Sequence, residues 1–227
     1  MIYLRSHIHF CQLGNVTVFM DIRADRYFSL PEIASAAFTE LCAPTGTGLS
    51  PQAQSLAVRL EAENVITRDP RLGRPPFEPN TERFKRSIFD LPRNAFSAPG
   101  AKDAILLMLS VSDLRLLNRQ RGFLPTLLPR LSAWKAKMDP GNQRHQDAIV
   151  QAQKFLQLAP WFISSRDACL YRSALLVRYL ARRSIPSQLN IGVRAAPFSA
   201  HCWVSSNSLV LNDHLETVNE FRPIFSV

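Results

Sequence analysis

Three stretches decide how this chain is read: Asp167-Ala-Cys169-Leu-Tyr-Arg-Ser-Ala-Leu-Leu176, Ala200-His201-Cys-Trp-Val204 and Leu209-Val-Leu-Asn-Asp213. The first opens a helical pattern. Ser164 and Ser165 suit an N-cap, Asp167 suits a first turn, and no Gly or Pro interrupts Cys169 to Arg183 before Pro186 ends the run. The other two read as strands. A further strand precedes them, in which Leu189, Ile191 and Val193 alternate with Gln188, Asn190 and Arg194.

This order sets a thiol at a helix start, an imidazole on one strand and a carboxylate at the end of the next. The unpaired N–H groups and the dipole at a helix start favour thiolate over thiol and can receive an oxyanion. A lone cysteine there is ordinarily a small buried hydrophobe. His201 beside Trp203 and Asp213 at a strand end likewise have ordinary structural readings. Together the three form a Cys-His-Asp set, with Cys169 as nucleophile, His201 as general base and then acid, and Asp213 as the orienting carboxylate.

The link Ser205-Ser-Asn-Ser208 predicts a hairpin. Directly opposed residues of an antiparallel pair share a face. A three-residue loop, Ser206 to Ser208, pairs Ser205 with Leu209 and sets His201 opposite Asp213. A two-residue turn sets them on opposite faces, so the triad carries a prediction about register. The same alternation expects Cys202, Asn212 and His214 to point away from the site. Gln188 is a candidate for the oxyanion site.

Cys169-Leu-Tyr-Arg-Ser, Ile191-Gly-Val-Arg, Phe198-Ser-Ala-His-Cys-Trp-Val and Leu211-Asn-Asp occur in order and resemble the lasso peptide biosynthesis B protein family. The resemblance covers roughly residues 100–227. It implies a transglutaminase-like cysteine endopeptidase that cuts the leader from a ribosomal precursor peptide, which often has Thr two residues before the cut. It also implies a partner, the lasso-forming amide synthetase, which closes a macrolactam on the freed core amino terminus. Two departures stand out. Cys202 occupies a place where a small residue is expected, and Asn207-Ser208 stands where the family often has Gly. The competing readings are a non-catalytic peptide-binding scaffold on a degenerate thiol-hydrolase fold, and a transglutaminase-like enzyme with other substrates.

The first part of the chain reads differently. His7, His9 and Cys11 alternate with Ile8 and Phe10 in a first strand; Val16 to Ile22 and Arg26 to Leu30 are two further strands. Pro31 opens a helix to Cys42, and Ser50 caps a second whose buried side is Leu56 and Leu60, with Val58 a further candidate. The run from Val18 to Leu30 resembles the winged-helix leader-recognition element related to the pyrroloquinoline quinone peptide chaperone. That resemblance implies β-augmentation, in which a leader adds as a strand beside Arg26, Tyr27, Phe28 and Leu30 and packs against the helix near Leu56 and Leu60. His7-x-His9 lacks a third ligand, so no metal site is expected, and no cofactor motif is found.

The expected class is therefore α+β: a small winged-helix-like recognition module over 1–67, a Pro-rich linker over 68–99, and a papain/transglutaminase-like cysteine protease domain over 100–227. In the last, Ile105, Leu106, Leu109, Leu116 and Leu117 form the predicted buried stripe of the first helix. Two more helices follow, Leu124 to Met138 and Gln146 to Leu158, separated by a turn at Asp139-Pro-Gly-Asn.

Composition narrows the partners. The net charge is +9 over 227 residues, but Arg and Lys are spread along the chain without an aromatic-interleaved basic motif. A solvated basic surface or an acidic peptide partner fits better than nucleic acid. Ala104 to Leu109, the longest apolar run, is too short to span a bilayer, so no membrane partner is expected. The N-terminal residues show no secretory pattern, and the four cysteines show no C-x-x-C pair. A cytoplasmic, reduced protein is the expectation.

Overall fold

The alternation before Pro31 builds strands in the computed structural model, which describes residues 1–43, 48–78, 83–91, 97–118, 123–136, 145–163 and 169–227. The chain forms two units, Met1–Thr81 with Ala195–Pro197, and Glu82–Arg194 with Phe198–Val227. The division falls inside the Pro-rich stretch.

In the first unit, β1 (Tyr3–Arg5), β2 (Ile8–Leu13), β3 (Val16–Asp21) and β4 (Arg26–Leu30) precede α1 (Glu32–Cys42), α2 (Pro51–Ala62), β5 (Ile66–Thr67) and β6 (Gly73–Arg74). β2, β3 and β4 make an antiparallel meander. β1 leaves it to lie between β5 and β6, so the start of the chain holds four strands where sequence suggested three. His7 falls in the turn before β2 rather than beside His9 on a strand. Aromatic rings fill the core: Phe38 meets Phe10 and Phe19 edge-on at 5.1 and 5.0 Å between centroids, and Phe19 stacks on Phe28 at 5.0 Å.

Polar brackets join these layers. The Ser35 hydroxyl donates to Leu30 O and accepts from Thr17 N–H, both at 2.8 Å, which ties α1 to the ends of β3 and β4. Glu40 on α1 accepts from both the N–H and the hydroxyl of Ser50 at 2.7 Å, while the Ser50 hydroxyl caps α2 at Ala53 N–H. Val58 on α2, a further candidate for that helix's buried side, is turned to solvent. The turn at Pro44–Gly48 lies largely outside the described residues.

In the second unit, β7 (Arg86–Ser87) is followed by α3 (Ala101–Asn118), α4 (Phe123–Ala136), α5 (His145–Leu158), α6 (Cys169–Ala181), β8 (Gln188–Arg194), β9 (Ser199–Ser206), β10 (Leu209–Val210), α7 (Leu215–Asn219) and β11 (Arg222–Ser226). The five strands order as β11-β8-β9-β10-β7, antiparallel except for the β10–β7 pair. Thus part of the Pro-rich stretch supplies an edge strand of this sheet. The caps Ser164, Ser165 and Asp167 and the Asp139 turn lie outside the described residues.

α6 is the spine of this unit. Ser173 through Val177, Tyr179 and Leu180 are buried, against α3, α4 and α5 on one side and β8 and β9 on the other. Basic residues of α6 and of the turn that follows it grip α3: Arg178 and Arg182 bind Asp113 at 2.6 and 2.7 Å, and Arg183 binds Asp103, which also holds Lys154 at 3.2 Å. Several of the cations behind the net charge are therefore spent on internal partners.

α3 corrects the sequence reading. Its buried face is Leu107, Ser110, Val111, Leu114 and Leu117, whereas Ile105, Leu109 and Leu116 are exposed. The helix is apolar on most sides, so periodicity selects no face. Among the described residues, no helix is long and apolar enough to cross a membrane.

Candidate active site

The site is assembled where the start of α6 meets β9. Cys169 is the first residue of α6, partly exposed at a helix N-terminus. One turn later, the buried Ser173 hydroxyl donates to Cys202 O at 3.0 Å. Residues four apart share a helix face, so this bond aims Cys169 at the same part of β9.

The hairpin that brings Asp213 differs from the loop expected. Ser205 pairs with Val210 and Ser206 with Leu209, which leaves a two-residue turn at Asn207-Ser208. Both turn residues have positive φ, 45° and 65°, the signature of a tight primed hairpin turn. By alternation alone this register separates His201 from Asp213. The two nevertheless meet, because β10 ends at Val210 and Asp213 lies beyond the ladder. His201 Nε2 lies 2.5 Å from Asp213 Oδ2.

Asn212 makes this departure possible. Its Oδ1 accepts from Val204 N–H at 2.8 Å, and its Nδ2 donates to the Ser173 hydroxyl at 3.0 Å. The side-chain amide stands in for a strand partner and satisfies the buried Val204 N–H. Asp213 is held further by Ser87, whose hydroxyl donates to Asp213 O at 2.6 Å, and by the His214 N–H on Oδ1 at 2.8 Å. The imidazole lies against Trp203 and Phe221, with centroids at 6.2 and 5.1 Å. Gly192, opposite His201 in the ladder, leaves room for this packing: a Cβ there would meet the Trp203 ring at 2.7 Å.

Since Nε2 is taken by Asp213, Nδ1 remains for Cys169, with which His201 is hydrogen-bonded. Burial alone would lower the His201 pKa, but Asp213 and the Cys169 sulfur outweigh it and raise it to about 9. Cys169 is drawn down to about 4, first by a hydrogen bond from the Cys202 side chain, against burial, and then by His201 and the Cys202 N–H. Burial also opposes ionisation of Asp213, but His201, the His214 N–H and Arg172 hold its carboxyl below the usual range. Both shifts favour a thiolate facing an imidazolium.

The structure also places three further side chains. Cys202 is buried on β9, and its carbonyl accepts from the Ser173 hydroxyl. Asn212 is buried in the bracket. Gln188 pairs with Ser205 at the far end of the ladder from His201, four residues and roughly 13 Å away along the strand, and is exposed there. It cannot serve as an oxyanion donor. Ser173, Asn212, Ser87 and Trp203 were missed as supports. The signal available was the helical spacing of Ser173 from Cys169 and the position of Asn212 next to Asp213.

In the first unit, β4 is an edge strand among the described residues. Arg26 is exposed with its guanidinium 5.7 Å from the Phe28 ring centre, and Tyr27 and Phe28 are half-buried. Leu30 and Leu60 belong to the core and present no side chain to a peptide. Leu56, though largely buried, helps line a cavity of about 470 Å³ between α1 and α2, with Ile33, Ala37, Pro51 and Arg59.

Comparisons with curated proteins and with solved structures found no match. The family model described as the transglutaminase-like superfamily matches residues 112–226, the span that carries α6, the strands β8 to β11 and all three residues of the candidate site. The chain belongs to the transglutaminase-like superfamily.

Proposed function

We propose that the protein is a cysteine endopeptidase that removes the leader from a ribosomal lasso precursor peptide and so frees the core amino terminus for a partner amide synthetase. The observation that carries this reading is the His201 Nε2–Asp213 Oδ2 contact at 2.5 Å, with Cys169 at the start of α6 shifted toward thiolate. The sequence resemblance to lasso peptide B proteins supplies the substrate class.

In this mechanism the Cys169 sulfur adds to the scissile carbonyl without a prior proton transfer, because the imidazole already holds the proton. The imidazolium gives that proton to the leaving amine, which departs as the core N-terminus. The leader remains as a thioester on Cys169. His201, now neutral, takes a proton from water as it attacks the thioester, and the leader leaves as a carboxylate. Asp213 holds the ring and offsets its charge at each stage; such general acid–base work is worth about 10²–10⁴ in rate.

Leader recognition is assigned to the first unit. An extended peptide gains main-chain bonds at an exposed sheet edge and selectivity from an adjoining apolar groove. The β4 edge and the cavity beside Leu56 supply both. A basic surface favours an acidic leader.

The test is incubation of the full-length protein with a candidate precursor peptide, followed by mass spectrometry. Cleavage at one bond is expected, abolished by Cys169→Ala with leader binding retained. Cleavage that persists without Cys169 overturns the assignment.

A further inference from the structure

Ser87 stands 126 residues before Asp213 in the Pro-rich stretch, yet its hydroxyl donates to Asp213 O at 2.6 Å. The residue is buried, at 0% exposure. Its strand β7 runs parallel to β10, with Ser87 opposite Val210, the last residue of β10. The pairing brings the hydroxyl to the place where β10 has ended and Asp213 lies beyond the ladder.

The carbonyl that Ser87 holds belongs to the peptide unit joining Asp213 to His214. The N–H of the same unit donates to Asp213 Oδ1 at 2.8 Å, and the His214 ring stacks on Phe89 at 4.4 Å between centroids. That unit is thus held at its oxygen by Ser87, at its nitrogen by the carboxylate, and at the following side chain by Phe89. The segment that supplies Ser87 and Phe89 is itself anchored. In a capping box, the Ser87 N–H donates to Asp90 Oδ2 at 2.7 Å, and the Phe89 N–H donates to the Ser87 hydroxyl at 3.2 Å. Ile88 is buried, and the Phe84 ring meets Trp203 edge-on at 5.8 Å.

We propose that residues 84–90 are a strap of the active site, in which Ser87 and Phe89 are positioning residues that aim the Asp213 carboxylate at His201. The inference rests on Asp213 being the orienting carboxylate and adds what orients it. A catalytic group must be held within about 0.5 Å of its productive place by its supports. A carboxylate past the end of a two-residue strand has no ladder to do this, and the strap takes that part. The charges that act on the imidazole directly are Asp213 and Cys169, with Arg172 acting on Asp213. Ser87 is uncharged, so it acts on the imidazole through the position of Asp213.

The experiment uses the full-length protein and no peptide. The His201 ring is titrated by NMR, and the melting temperature of each variant is measured beside it. Ser87→Ala removes the hydroxyl without adding bulk, and should lower the His201 midpoint by about half a pH unit, a roughly threefold weaker hold on the proton. Ser205→Ala is the control. It removes another buried hydroxyl of the same sheet, one bonded to Asn190 Nδ2 at 2.9 Å. It should lower the melting temperature and leave the midpoint in place. If Ser87→Ala does not fold, Phe89→Ala, which bares His214 at a part-exposed position, is judged by the same criterion.

An unmoved midpoint in the folded strap variant, or an equal fall in Ser205→Ala, shows that the segment only supports the sheet and overturns the proposal. Asp213→Asn separates this from the reading beneath it: a His201 midpoint unmoved in that variant sinks the triad itself, whatever the strap variants do.

Discussion

The Val204 N–H donates to the Asn212 side-chain oxygen at 2.8 Å, a strand-like bond made by a side chain after the strand has ended. Through it, a hairpin whose register parts His201 from Asp213 still delivers the carboxylate to the imidazole. The same Asn212 reaches Ser173 on α6, so one amide links the three elements that carry the site.

Asn212→Leu keeps the volume and removes both bonds. The Val204 N–H and the Ser173 hydroxyl lose a buried partner, each at a cost of about 1–3 kcal/mol. A lower melting temperature is expected by thermal denaturation, together with slower alkylation of Cys169 at neutral pH. A variant as stable as wild type would show that the bracket carries no weight.

The pH dependence follows from two shifts of opposite sign. Cys169, drawn down to about 4, loses its charge as pH falls through that value. His201, raised to about 9, loses its proton as pH rises through that value. The productive pair exists between them, so cleavage plotted against pH should be bell-shaped with limbs near these values. A single limb near that of a free thiol would contradict the ion pair.

Asp213→Asn tests the alkaline side alone. Without the carboxylate, His201 keeps its burial and loses its main counter-charge, so its pKa should fall from about 9 toward or below the ordinary 6.5. The alkaline limb should move down by at least one pH unit. NMR titration of the ring provides a readout independent of turnover.

Gly192→Ala places a methyl 2.7 Å from the Trp203 ring and 2.9 Å from Phe221, with Gly192 paired to His201. Both rings pack against the imidazole, so they must shift together. Overpacking of this kind costs about 1–3 kcal/mol. Loss of cleavage larger than the loss of stability is expected, read by comparing kcat with the melting temperature.

Leader binding depends on which N–H groups of β4 face outward. The two-residue turn at Gly14-Asn15 pairs Leu13 with Val16, and the alternation that follows directs the Phe28 N–H to Phe19 on β3 and the Ser29 N–H to the open edge. Ser29→Pro should weaken leader binding about tenfold in fluorescence polarisation, for loss of one edge donor and a distorted strand. Phe28→Pro should instead lower stability, because it breaks the internal ladder and the stack on Phe19. Unchanged affinity in Ser29→Pro would remove β4 as the recognition edge.

Some of the molecule is written locally. Ser50 capping α2, Pro31 before α1 and the alternation of Gln188 to Arg194 need only neighbouring residues, and each element lies where those residues direct it. The order of Cys169, His201 and Asp213 is equally local: a helix start, a strand and a strand end.

What tertiary structure alone decided is how these pieces face one another. α3 is apolar on most sides, and only packing chose Leu107, Val111 and Leu114 over Ile105 and Leu109. The β9–β10 turn took its two-residue form because Asn207 and Ser208 tolerate positive φ, a choice that Gly-free composition concealed. Strand alternation predicted faces only while the ladder lasted. Once β10 ended at Val210, the direction of Asp213 was set by hydrogen bonds to Ser87 and through Asn212, whose partners lie far away in sequence.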